Sequence, residues 1–213
     1  MTRPAARPGE RVLFTGGAGE IEAVIDAPAQ APHGIALIAH PHPLFGGTLD
    51  NKVVQTLAKT FVELGWVAVR PNFRGVGATE GTYDHGDGET EDMLAIARQA
   101  AQRYGELPLA LAGFSFGAFV QTRVAKRVKP HRLVLVAPPA GLVSAGRSYA
   151  TETVPAGTLV IHGEQDETVP LSNVFDWARP QELPIIVIPG ADHFFHRRLH
   201  LIKSIVKGAW RDA

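Results

Sequence analysis

With 213 residues, 45% apolar and 20% charged, the chain has the size and make-up of one globular domain, expected to span residues 1–213. Its 21 Lys and Arg balance its 21 Asp and Glu, with no long run of either sign, which argues against nucleic acid or an anionic membrane as partner. It has no cysteine, so disulfides, thiolate metal sites and a cysteine nucleophile are excluded.

The first nine residues carry proline and arginine but no apolar run, unlike an export signal, and no apolar stretch approaches membrane-spanning length. The expectation is a cytoplasmic protein, monomeric or homodimeric, with no membrane partner. Residues 11–15 and 20–25 nearly alternate apolar with polar around Gly16-Gly17-Ala18-Gly19, which predicts a hairpin. Residues 34–39 are a continuous apolar run, as in a strand covered on both faces. Val53, Val54, Leu57, Phe61, Val62 and Leu64 follow helical spacing; Asp50 or Asn51 would cap that helix and Gly65 would end it.

Residues 66–69 read as the next strand, and a glycine-rich loop over 71–88 leads into a helix through Met93, Leu94, Ile96 and Ala97. That loop contains Gly75-Val76-Gly77 but lacks the Gly-x-Gly-x-x-Gly register and runs into polar chain, so it predicts a strand-pinning loop with Arg74 in an ion pair. Asp84, Asp87, Glu89 and Asp92 are candidate partners for that arginine and candidate helix-start charges. A strand from Leu109 then enters Gly113-Phe114-Ser115-Phe116-Gly117, followed by a helix to about Val128. Residues 132–137, 158–161 and 185–188 are further apolar strands; short and terminal helices are predicted over 172–178 and 194–210. Strand–helix alternation of this kind builds a mainly parallel sheet of about eight strands with helices on both faces. The longest segment left over, residues 138–157, is too short for a cap domain, so an open site is expected.

Ligands of such sheets bind at the carboxyl ends of the strands. Three candidates stand there in order: Ser115 on a tight turn, Asp166 after the strand at 158–161, and His193 after the strand at 185–188. A serine hydroxyl becomes a nucleophile when an imidazole takes its proton, and the imidazole needs a carboxylate on its far nitrogen. Asp192 and His196 are the nearest competitors of His193, with Asp192 better suited to capping the terminal helix; Glu164 is the rival of Asp166. Backbone donors for an oxyanion would come from Phe116 and from the loop His40-Pro41-His42-Pro43-Leu44; proline has no N–H, so His42 and Leu44 remain. A metal reading of His40 and His42 with His85 or His193 lacks any carboxylate in the loop, and no metal or other cofactor is expected. His193, His196 and His200 are spaced for one helix face and read as surface histidines.

Gly113-Phe114-Ser115-Phe116-Gly117, Asp166 with Val169-Pro170, and Gly190-Ala191-Asp192-His193-Phe194-Phe195 resemble the α/β-hydrolase superfamily over nearly the whole chain. The run from His40 to Val54 and Asn72-Phe73-Arg74-Gly75-Val76-Gly77 resemble small, lidless bacterial hydrolases related to dienelactone hydrolases and esterases. The resemblance implies the α/β-hydrolase fold without a cap, a catalytic Ser115–Asp166–His193 set, and hydrolysis of small carboxylic esters, short acyl chains foremost. The chain departs from lipases in lacking an His-Gly-Gly-Gly loop and from dienelactone hydrolases in lacking the cysteine. A thioesterase, peptidase or acyl transferase would use the same residues, and a binding module on the same scaffold is the non-enzymatic alternative.

Overall fold

The computed structural model describes residues 9–210. β1 (Glu10–Gly16) and β2 (Gly19–Asp26) form the expected antiparallel hairpin, and β3 (Ile35–Ala39) is buried along its whole length. Asn51, not Asp50, caps α1 (Lys52–Glu63): its Oδ1 accepts the Val53 N–H at 2.9 Å. β4 (Val67–Pro71), α2 (Asp87–Tyr104), β5 (Leu109–Phe114), α3 (Phe116–Val128) and β6 (Arg132–Val136) continue the alternation. A two-residue ribbon, β7 (Gly141–Leu142) with β8 (Ser148–Tyr149), precedes β9 (Leu159–Gly163), α4 (Leu171–Ala178), β10 (Ile185–Ile188) and α5 (Leu199–Trp210).

Eight strands form one sheet in the order β1-β2-β4-β3-β5-β6-β9-β10, antiparallel at β1–β2 and β2–β4 and parallel from β4 onward. This is the α/β-hydrolase architecture, with no cap domain inserted among the described residues. Alternate residues of each central strand serve opposite faces. Ala36 and Ile38 of β3 pack with Val53, Leu57 and Phe61 of α1 and Ile202 and Val206 of α5. Leu37, Val69 and Leu111 pack with Met93 and Ile96 of α2, Val120 and Val124 of α3, and Val174 of α4. Each such side chain, once fully buried, contributes about 1.5–3 kcal/mol, so the two cores dominate the stability.

Two predictions from the sequence need correction. The terminal helix starts at Leu199 and not near residue 194, because Phe195 and Arg197 take positive φ (54° and 60°), which no α-helix accommodates. His193, His196 and His200 therefore do not share a helix face. Asp192 does not cap that helix; its carboxylate accepts the His196 N–H at 3.1 Å and pairs with the His196 ring, closing a turn. Arg74 does form an ion pair, with Asp92 at 2.6 and 3.0 Å and Asp84 at 3.8 Å. Asp87 pairs instead with Arg123, and the Glu89 carboxylate accepts the Asp84 and Gly86 N–H groups at the start of α2.

The chain passes from β4, on one side of β3, to β5 on the other, so the carboxyl ends of β3 and β5 flank the crevice where such sheets bind ligands. Ala39 lies opposite Gly113 there. At the turn into α3, a Cβ on Gly117 would collide with the Ala39 and His40 carbonyls, and one on Gly113 with the Gly117 carbonyl. Backbone atoms cannot yield as a flexible side chain can. Gly117→Ala is expected to lower the unfolding free energy by about 1–3 kcal/mol, read as a shift in the urea midpoint without a change in m-value; an unchanged midpoint would show that β3 and α3 can part.

Candidate active site

Ser115 is the residue between β5 and α3, at φ 53° and ψ −122°, a conformation that costs a non-glycine residue about 1–3 kcal/mol. Its N–H donates to Val136 O at 2.9 Å, and its carbonyl accepts the Ala118 and Phe119 N–H groups. Those bonds hold the bend. The hydroxyl is thereby turned out at the end of the sheet, where His193 Nε2 lies 3.0 Å from Oγ. His193 follows β10, and its Nδ1 lies 2.7 Å from Asp166 Oδ2. A carboxylate only accepts, so Nδ1 carries the proton and Nε2 is left to accept from Ser115 Oγ–H.

Asp166 follows β9 and is fixed by its other oxygen, Oδ1, which accepts the Thr168 and Val169 N–H groups at 2.9 and 2.8 Å. The rivals are occupied elsewhere. Glu164 accepts the Gly190 N–H, and Asp192 and His196 hold each other. The structure thus brings together the three residues that the sequence singled out, Ser115, Asp166 and His193, all buried.

His162 shares that surrounding. Its Nε2–H donates to Val169 O at 2.9 Å and stands 3.5 Å from Asp166 Oδ2, while the buried Nδ1 has no partner among the described residues. Burial, the largest influence, holds its pKa below the ordinary imidazole value against the pull of Asp166. A neutral His162 leaves the carboxylate charge facing His193. His162 stands four before Asp166 at the end of an apolar strand, a position with no spacing signal to mark it in the sequence.

The loop after β3 is framed by buried polar contacts. His40 Nδ1–H donates to Pro41 O at 2.6 Å and Nε2 accepts the Phe73 N–H at 2.8 Å, tying the end of β3 to the chain beyond β4. Asn72 Oδ1 accepts the Leu49 N–H and Arg70 donates to Leu49 O. The His42 ring is wedged among Phe45, Tyr83 and Phe116, with centroids 4.8, 4.8 and 4.9 Å away. Its Nδ1 accepts the Leu44 N–H at 3.3 Å. Leu44 N–H is therefore engaged, whereas no protein acceptor meets the His42 or Phe116 N–H among the described residues. Among the described residues no group of three or more His, Asp or Glu is placed to hold a metal ion.

Ser115 and His193 open into a cavity of about 330 Å3 that is also lined by His42, Phe45, Asn51, Ser144, Ala145, Arg147, Thr168 and Phe194. The wall at 144–147 comes from the segment between β6 and β9, within the stretch that the sequence left as irregular chain. Arg147 was missed there, since a lone arginine in irregular sequence carries no spacing signal. Phe114 and Phe116 are wholly buried, and the aromatic residues that line the cavity are Phe45 and Phe194.

Residues 44–151 match the family model described as serine aminopeptidase, S33. Over almost the full length of both chains, the structure superposes on an α/β serine hydrolase without lid from Xanthomonas campestris (TM-score 0.89, 34% identity, 99% and 97% covered). An α/β serine hydrolase homologue from Coxiella burnetii matches with TM-score 0.86 and 39% identity over 96% of this chain and 99% of the other. An uncharacterized protein of Rickettsia prowazekii is 32% identical over 195 residues, 87% of this chain and 82% of its own.

Burial lowers the His40 pKa from 6.5 to about 3, and burial, Arg147 and His85 lower that of His42 to about 4. Below pH 6.5 the unfolded chain takes up protons that the folded one refuses, so stability falls as pH falls toward the folded values. Each fully buried histidine adds a slope of about 1.4 kcal/mol per pH unit. Between pH 6 and pH 4, urea unfolding of His40→Gln, which removes the titration and keeps an acceptor for Phe73 N–H, should lose less stability than wild type; parallel pH profiles would remove His40 from this account.

Proposed function

The chain belongs to the α/β serine hydrolases without a lid, and from that premise we propose that it cleaves carboxylic esters with short acyl groups through an acyl-enzyme on Ser115. The reading rests on the unbroken hydrogen-bonded line Ser115 Oγ, His193, Asp166 opening on a cavity that small esters fill. Ser115 Oγ attacks the ester carbonyl while His193 Nε2 takes its proton; Asp166 keeps the imidazole in the required tautomer and offsets the charge that forms. The carbonyl oxygen becomes an oxyanion facing the Phe116 and His42 N–H groups, the first at the start of α3 and the second held by the wedged ring. His193 returns the proton to the departing alkoxide. Water then enters, gives its proton to His193 and attacks the acyl carbon; collapse releases the carboxylic acid and restores Ser115.

The family's description as an aminopeptidase offers a second reading. Such an enzyme grips a free ammonium group, which calls for a carboxylate in the cavity. None lines it, and Arg147 would repel the ammonium. Ester hydrolysis fits that charge pattern better.

Ser115→Ala should lower hydrolysis of 4-nitrophenyl acetate and butyrate by about 10⁴-fold or more with unchanged circular dichroism, and a fluorophosphonate should add to wild type once, at Ser115. Near-wild-type turnover by Ser115→Ala, or faster cleavage of aminoacyl 4-nitroanilides than of the esters, would defeat the proposal.

A further inference from the structure

The lining of the cavity is electrically one-sided. It contains Arg147 together with neutral polar groups and apolar surface, and no aspartate or glutamate. Four other buried or half-buried arginines meet carboxylates, Arg70 with Asp26 at 2.9 Å, Arg74 with Asp92 at 2.6 Å, Arg103 with Glu10 and Arg123 with Asp87, whereas Arg132 lies over the Trp210 ring, away from the cavity. Arg147 meets none among the described residues. Its Nε donates to Ser144 O and Nη2 to Ser144 Oγ, both at 3.1 Å, and its guanidinium carbon lies 4.5 Å from the Phe45 ring centroid. A guanidinium has five N–H groups. The Ser144 contacts commit two, the Tyr149 hydroxyl is a further neighbour, and the rest have no anionic acceptor from the protein.

These contacts determine where the cation stands. The backbone bond to Ser144 and the contact over the Phe45 ring place the guanidinium at the cavity lining, between the 144–147 wall and the loop after β3. A planar fork positioned in this way, with N–H groups left over, matches a carboxylate in two-point contact. A solvating surface arginine needs no such clamping.

We infer that Arg147 binds a carboxylate on the substrate, so that the esters this site favours are half-esters or esters of hydroxy- or phenolic acids carrying a second, free carboxylate. The inference rests on the ester-cleaving role of Ser115 for its chemistry and on Arg147 alone for its selectivity. The bond broken is the neutral ester; the free carboxylate takes no part beyond anchoring, and the proton path is that of the general reaction.

Two matched pairs test it: 4-nitrophenyl hydrogen adipate against 4-nitrophenyl hexanoate, with the charge on the acyl side, and 4-acetoxybenzoate against its methyl ester, with the charge on the leaving side. Wild type should favour the anion in at least one pair by about tenfold or more in kcat/KM, the scale of a charge-assisted contact. Added salt should erode that preference. Arg147→Met should bring the ratio toward one, and Arg147→Lys should leave an intermediate value. Preference for the neutral ester in both pairs, or a ratio that survives Arg147→Met, overturns the inference. An arginine that served only the oxyanion or the turn at 144–147 would slow both members alike and so preserve the ratio.

A calorimetric titration separates this from the chemistry. Monomethyl adipate should bind Ser115→Ala about tenfold or more tightly than Ser115→Ala/Arg147→Met. If wild type cleaves no ester yet that difference appears, the ester reading fails and the carboxylate site stands. If esters are cleaved and binding ignores Arg147, the carboxylate site fails alone.

Discussion

Everything at this site depends on how closely the start of α3 packs against the end of β3. Gly117 rests on the Ala39 and His40 carbonyls, leaving no room for a side chain. That contact forces the chain from β5 into α3 through one strained residue, Ser115. The same contact sets the Phe116 N–H beside the loop that carries the His42 N–H. Nucleophile and backbone donors are thus placed by one packing event and not by separate devices.

Four buried histidines surround this contact, and their environments assign them different work. His40 is a neutral strut between the ends of β3 and β4. His42 is a neutral wedge among three aromatic rings. His162 is kept neutral beside Asp166, so it competes little for the carboxylate. Of the four, His193 alone has a carboxylate squarely on one nitrogen and a hydroxyl on the other, the arrangement that the proposed proton transfer needs.

The fold was largely legible because fully covered parallel strands are written as unbroken apolar runs, such as Ile35–Ala39 and residues 133–136. Ser115, Asp166 and His193 were legible for a related reason: each is a polar residue placed just beyond such a run. Where the chain is shaped by single residues in left-handed conformations, periodicity carries no information. Phe195 and Arg197 deferred α5 in this way, and the two-residue ribbon β7–β8 is too short to alternate. What distinguishes His42 from Leu44 was closed to sequence as well, since it lies in one hydrogen bond from Leu44 N–H to an imidazole nitrogen. Arg147 stayed hidden because its partners, Phe45 and Ser144, approach it from distant chain and from an irregular turn.

The absence of an inserted cap between β6 and β9 also bears on what becomes of an acyl-enzyme once it has formed. Among the described residues no inserted domain covers the cavity beside Ser115, and the rim residues Phe45 and Phe194 are themselves exposed. In the proposed reaction the acyl group would therefore be open to water once the alcohol departs, which would favour hydrolysis over transfer to a second alcohol. An open mouth would also dispense with a closing step in the proposed reaction.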